Sequence, residues 1–228
     1  MARQLTFDLA LPPPTYARED FVVAPGNREA LAWIDRWPDW PAPALALGGP
    51  AGCGKTHLAR IWAARAGAAV IEGRALEGKS VADLSELIEA SPAMVIEDAD
   101  RAPERALFHL YNLAREHRGW LLLVAAALPA HWSIALPDLA SRLRAAPAVA
   151  VAAPDDDLLG SIILKQLADR QLHAAPGVVH YLVSHMERSA EVARRLVAAL
   201  DQRALAERRE IDRRLAADVL AELSGETS

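Results

Sequence analysis

One cysteine in 228 residues excludes an internal disulfide, since Cys53 has no second thiol to meet. Long apolar runs are missing too. No stretch approaches the roughly 20 residues that a helical membrane span requires, and the first nine residues lack the apolar core of a secretory signal. Aromatic residues make up 5% of the chain and charged residues 24%, against 52% hydrophobic, which excludes a disordered polar chain and favours a helix-rich core built on Ala and Leu. Nor is there an excess of positive charge. A formal net charge of −5 gives no global attraction to nucleic acid or anionic lipid, so contact with DNA is expected to be local or indirect and no membrane partner is expected. Together these absences set the expectation of a reducing, cytoplasmic home.

What the chain does have is concentrated in Gly49-Pro50-Ala51-Gly52-Cys53-Gly54-Lys55-Thr56, which fits the phosphate-loop pattern of Gly, four residues, Gly-Lys-Thr without a mismatch. Glycines let backbone N–H groups turn inward around phosphate oxygens, and the helix that follows aims its positive end at the same anion. Lys55 is then expected to reach the terminal phosphates and Thr56 to hold Mg²⁺, with Gly49, Pro50, Gly52, Cys53 and Gly54 forming the cradle. A Gly-rich turn that merely joins a strand to a helix would use similar residues. The flanks favour the phosphate loop: Ala44-Leu45-Ala46-Leu47 reads as a short apolar strand before it, and residues 56–66 as a helix after it.

Strands and helices alternate around this point. Residues 68–71, 94–98, 120–127 and 148–152 read as further strands, and 28–37, 81–90 and 103–116 as helices, with a short helix from Pro137. The expected fold class is α/β, a P-loop core with a five-stranded parallel sheet. Met94-Val95-Ile96-Glu97-Asp98 is an apolar strand ending in two acids. Beside a phosphate loop, one such carboxylate holds Mg²⁺, here Glu97, and its neighbour polarises the attacking water; an acidic turn is the plainer alternative. Trp37 and Trp40, among prolines, read as loop packing against the core. From Asp155 the pattern turns to helices only, over 155–171, 176–186, 190–207 and 213–223, which implies a small all-helical lid. The expected division is 1–15 as a tail, 16–153 as the core and 154–228 as the lid. In the third lid helix Val192, Leu196 and Leu200 are spaced for burial, leaving Arg194, Arg195 and Arg203 outward. The arginines between Arg188 and Arg214 alternate with Glu187, Glu191, Asp201, Glu207, Glu210 and Asp212, the pattern of a solvated face rather than a nucleic-acid surface.

Ahead of the core, Pro12-Pro13-Pro14 excludes helix and closes off a short tail. Gln4-Leu5-Thr6-Phe7-Asp8-Leu9 carries one amide and three large apolar groups on a segment too short to bury them itself. This is the profile of a docking peptide, although an edge strand or a free end would also use such residues.

A five-stranded core with a phosphate loop, an acidic strand end and a helical C-terminal part resembles an AAA+ nucleotide-binding module. More narrowly, Phe21-Val22-Val23 with Asn27, then Gly54-Lys55-Thr56-His57-Leu58, is similar to the DnaA family, whose loop likewise runs on into His-Leu. That resemblance implies ADP or ATP as the ligand. It places Phe21, Val22, Val23, Asn27 and His57 around it and brings Arg194 to it from the lid. Asp138-Leu139-Ala140-Ser141-Arg142-Leu143 resembles the family's arginine-finger segment, which puts the finger at Arg142, after the short helix and before the fifth strand, acting in trans. The tail resembles the Gln-Leu motif with which many bacterial replication proteins bind the sliding clamp, the beta subunit of DNA polymerase III, so Gln4, Leu5, Phe7 and Leu9 become the expected anchors. No helix-turn-helix segment is expected behind the lid, since the chain stops at Ser228. The implied partners are the clamp, DnaA itself and, for an AAA+ module, a homo-oligomer, with DNA reached only through the clamp.

Three departures from the family pattern bear on activity. The acids run Glu97 then Asp98, Ala125-Ala126-Ala127 stands where a polar residue senses the terminal phosphate, and Glu191 stands where a lid arginine is usual. They imply a nucleotide holder with weak hydrolysis of its own. Two functions fit: a negative regulator of replication initiation that completes another ATPase's active site, or a stand-alone ATPase or helicase loader.

Overall fold

The computed structural model describes residues 16–225. Gln4, Leu5, Phe7 and Leu9 lie outside them. Five strands, β1 (Ala44–Gly48), β2 (Ala69–Glu72), β3 (Ala93–Glu97), β4 (Trp120–Ala125) and β5 (Ala148–Ala150), form one parallel sheet in the order β2-β3-β4-β1-β5. Parallel strands need crossovers, and the crossovers cover both faces, so the strands are mostly apolar, with Glu72 and Glu97 at the ends of β2 and β3. Leu45, Leu47, Val95, Leu122 and Val124 face α1 (Arg28–Arg36) and α2 (Lys55–Ala66), while Met94, Ile96, Leu121 and Leu123 face α3 (Val81–Ala90), α4 (Glu104–Glu116) and α5 (Pro137–Ala145). Ser80 and Asp83 start α3 with a reciprocal capping box.

The first layer is rich in indole. Trp62 on α2 is fully buried, stacked on Trp40 at 5.4 Å between ring centroids and met edge-on by Trp37, and Trp120 meets Trp40 in turn. Both expected loop tryptophans therefore serve packing.

Helices α6 (Asp156–Asp169), α7 (Val178–His185), α8 (Ala190–Glu207) and α9 (Arg213–Gly225) enclose a core of their own, in which Leu159, Ile163, Leu182, Leu196, Leu200 and Leu215 are completely shielded. Side-chain caps fix three of their starts: Asp155 accepts from Leu158 N–H, Ser189 from Val192 N–H, and Asp212 from Leu215 N–H. Among the described residues no helix is long and apolar enough to cross a membrane.

Several expected boundaries shift in ways that matter at the sheet's C-terminal edge. β3 stops at Glu97, and Asp98 turns into the left-handed region with φ of 48°. β4 stops at Ala125, because the chain then crosses Gly48 so closely that a Cβ there would sit 2.7 Å from the Leu128 amide nitrogen. Arg142 lies not after the fifth helix but in its last turn.

Candidate nucleotide site

The loop between β1 and α2 takes two left-handed steps, at Gly52 (φ 71°) and Gly54 (φ 100°), a conformation that lets a loop's peptide N–H groups turn toward one anion. Two close approaches exclude larger residues. A Cβ at Gly49 would lie 2.3 Å from the Val151 carbonyl oxygen, and one at Gly52 would lie 2.4 Å from Ser189 Oγ. Lys55 Nζ donates to the carbonyls of Gly49 and Pro50 at 2.6 and 2.7 Å, with Cys53 Sγ at 3.7 Å, so the ammonium is held inside the cradle. Thr56, in the first turn of α2, is exposed beside it.

Glu97 ends β3 with one carboxyl oxygen buried and without a hydrogen-bond partner. Burial pushes its pKa up, an effect the Arg60 charge opposes, Asp98 reinforces and Lys55 again opposes. A buried carboxyl oxygen lacking a donor is unfavourable unless a cation or water satisfies it. Thr56 and Glu97 thus fit a Mg²⁺ ion completed by phosphate oxygens, the ligand balance that ion usually adopts. Among the described residues no cluster of three His, Cys, Asp or Glu could hold a metal by protein ligands alone. Asp98 faces elsewhere: its exposed carboxylate pairs with Arg101 at 3.6 Å. The end of β4 brings Ala125 into register with Gly48 and offers only methyl groups.

The segment before α1 closes one side of the site. Phe21 is buried, its Cε2 3.7 Å from where a Gly54 Cβ would be. Asn27 is buried but occupied with the chain itself, accepting from Ala24 N–H at 2.8 Å and donating to Val22 O at 3.0 Å, so it shapes the turn that presents Val22 and Val23. Val22 packs toward the helical core, and Val23 stays open to solvent.

The C-terminal helices meet the loop directly. Ala190 N–H, at the start of α8, donates to Gly52 O at 2.9 Å, and the buried Ser189 fills the space a side chain at Gly52 would take. One turn on, Arg194 Nη2 donates to His57 Nδ1 at 2.6 Å, while His57 Nε2 lies 3.1 Å from the Ala17 carbonyl oxygen. Only the neutral tautomer with the proton on Nε2 serves both partners. Burial lowers the His57 pKa to about 4, and desolvation also lowers that of Arg194. The helical spacing places Arg194 outward; the structure corrects this, because His57 draws the guanidinium in. Arg195 and Arg203 are outward as expected, Arg203 bridging Glu207 and Glu222, and Glu191 is exposed. The Ser189 contact with Gly52 and the 3.1 Å link from Lys165 to Asp20 escaped the sequence reading; the only local signal was Ser189 as a helix cap.

Arg142 stands apart from this cradle, on the α4–α5 layer. Its Nε donates to Asn112 Oδ1 at 2.9 Å, and its guanidinium carbon lies 4.6 Å from the centroid of the Phe108 ring.

No protein-family model matches the chain, and no curated protein matches it. Solved structures do. Domain III of the Thermotoga maritima replication initiation protein DnaA superposes with a TM-score of 0.76 at 20% identity, over 93% of this chain and 98% of that one. The Thermotoga maritima RuvB Holliday junction branch migration motor gives 0.71 at 16% identity, over 92% of this chain and 72% of that one. AMPPCP-bound DnaA from Aquifex aeolicus gives 0.68 at 19% identity, over 81% and 64%. The fold is therefore that of the AAA+ domains of DnaA and RuvB, with the parallel sheet and flanking helices expected.

Proposed function

We propose that this chain is a DnaA-related regulator of replication initiation, of the kind called Hda. It binds an adenine nucleotide with Mg²⁺ at the loop, docks on the sliding clamp through its first residues, and stimulates ATP hydrolysis by DnaA. The observation that carries the nucleotide reading is the convergence of Lys55, Thr56 and the unpartnered Glu97 oxygen on one loop end. A DnaA relative that holds AMPPCP on the same fold supports an ATP-type ligand. In this reading the phosphates take the loop N–H groups and the Lys55 ammonium, Thr56 and Glu97 hold the metal, and Phe21, Val22 and Val23 border the base.

Weak hydrolysis by the chain itself follows from two places. Asp98 pairs with Arg101 at the surface, and β4 ends in alanines, so neither position presents the groups that hydrolysis would use in the usual places. The useful chemistry is then exported. Arg142, half-exposed on α5, would be inserted beside the ATP held by DnaA, where a guanidinium stabilises charge that develops in the transition state. The core would span 16–153 and the lid 154–228.

Phosphate release measured with this protein alone, with DnaA, and with DnaA plus DNA-loaded clamp tests the proposal. Stimulation only in the last mixture is expected, and removal of residues 1–10 should abolish both the stimulation and clamp binding in surface plasmon resonance. The likeness to RuvB favours a second reading, a motor or loader acting on DNA or a helicase. Rapid phosphate release by the protein alone, indifferent to clamp and DnaA, would select it.

A further inference from the structure

His57 is held in a way that a residue merely filling the core does not require. Its side chain is 1% exposed and follows Thr56 directly in the first turn of α2. Tyr16 and Phe21 both meet the imidazole edge-on, at 5.5 and 5.2 Å between centroids, and fix its plane. Its two nitrogens then point to two different parts of the chain. Nε2–H serves the Ala17 carbonyl, which also accepts from Asp20 N–H in the short turn Arg18–Asp20. Nδ1 receives Arg194 from α8.

We propose that His57 is a positioning residue that joins the phosphate loop to α8 through Arg194 and to the N-terminal segment through Ala17, so that occupation of the loop tightens both. The inference rests on the nucleotide reading for its ligand-dependent half and on geometry alone for the rest. Lys55 and Thr56 belong to the same helical turn, and any settling of that turn onto a phosphate moves the ring with it, because a buried ring cannot turn without displacing Tyr16 and Phe21. On the lid side the joint is doubled: Ala190 N–H grips Gly52 O at one end of the loop, and Arg194 grips His57 beyond the other. The N-terminal side is doubled as well, since Lys165 of α6 reaches Asp20 at 3.1 Å. Histidine suits this place because it presents an acceptor and a donor on opposite edges of one rigid ring. Asn can place an oxygen near Nδ1 but cannot reach Ala17, and Gln can place an N–H near Nε2 but leaves Arg194 without its acceptor.

Those two substitutions separate the arms. Amide hydrogen exchange of the full chain is followed at Asp20 and Phe21, which report the N-terminal turn, and at Ala190 and Ala193, which report the start of α8. Without nucleotide, His57→Asn should speed exchange at Asp20 and Phe21 about tenfold and leave Ala190 and Ala193 slow; His57→Gln should do the reverse, as expected for loss of one hydrogen bond. Adding Mg-ADP should slow both sets in the wild type, but only the still-connected set in each variant. Arg194→Ala, which leaves the α2 core untouched, should loosen Ala190 and Ala193 alone and stands in if a His57 variant fails to fold. Equal loosening of both sets in both variants, or none in either, would overturn the joint. If Mg-ADP fails to protect residues 49–56 in the wild type, the nucleotide reading falls instead, and the nucleotide-free comparison still decides the role of His57.

Discussion

Arg194 and Arg142 are both engaged by neutral partners, and they are engaged differently. Arg194 is drawn between α8 and α2, largely removed from water, and bonded to a buried imidazole. Arg142 lies along α4 with its face on Phe108 and bonds to Asn112 and, at 3.4 Å, to the Asp138 carbonyl, half-buried near the surface. A guanidinium in the first setting is a fastener, since withdrawing it strands a buried acceptor. In the second it rests on weaker contacts: a cation–π contact near the surface is worth about 0.5–1 kcal/mol and a hydrogen bond from a charged donor about 1.5–3 kcal/mol, and a phosphate can replace both. Arg194 is thus fastened between two parts of the molecule, while Arg142 lies at an edge where, under the proposed function, it would act on a partner.

The largest effect that could break this contrast is catalytic. Arg142→Ala should leave melting within a few degrees of wild type, yet lower the stimulation of DnaA hydrolysis by roughly 10³, the low end for such fingers; steady-state phosphate release would show it, and retained stimulation would make Arg142 an ordinary edge residue. On the lid side, Gly52→Ala forces a Cβ into Ser189 at a left-handed position, which should cost about 3 kcal/mol from strain and overpacking and lower the melting temperature by roughly 6–12 °C. Lys55→Ala removes the charged donor of the cradle and should weaken ADP binding roughly hundredfold in titration calorimetry, with Arg142→Ala unchanged in the same cell.

The smallest effect concerns acid. His57 titrates at about 4 in the folded chain against 6.5 when free, with burial the main cause, the Arg194 charge adding to it, and Ala17 and Asp20 opposing it. Between those values the unfolded chain binds a proton that the folded chain refuses. Stability is therefore full above pH 6.5 and falls as pH drops toward 4, by at most about 1.4 kcal/mol per pH unit. Urea midpoints at pH 7 and pH 5 should differ less for His57→Gln than for wild type.

The strands, the loop and the helix after it were legible because each is written in local spacing: apolar runs between Gly and Pro, then helical periodicity. Glu97 was legible for the same reason, as the acid closing an apolar run. Arg194 was not, for its helical position matches that of the exposed Arg195, and only a histidine 137 residues away decides that it turns inward. Asp98 reads in sequence as one more strand residue; its left-handed turn toward Arg101 follows from where the sheet ends. Arg142 was placed past its helix because Ala145-Ala146-Pro147 marks the stop more weakly than the packing of Leu143 marks the continuation.

The indole nest beside α2 has an optical consequence. Five of the six tryptophans, Trp33, Trp37, Trp40, Trp62 and Trp120, lie in or against the cluster around that helix, and only Trp132 belongs to the other face of the sheet. Trp62 is wholly shielded from solvent, its indole N–H unpartnered, about two turns along α2 from Lys55 and Thr56. The intrinsic emission of this protein is thus weighted toward one helix, and a shift in its colour or intensity on adding a ligand reads out movement of α2 without any attached dye.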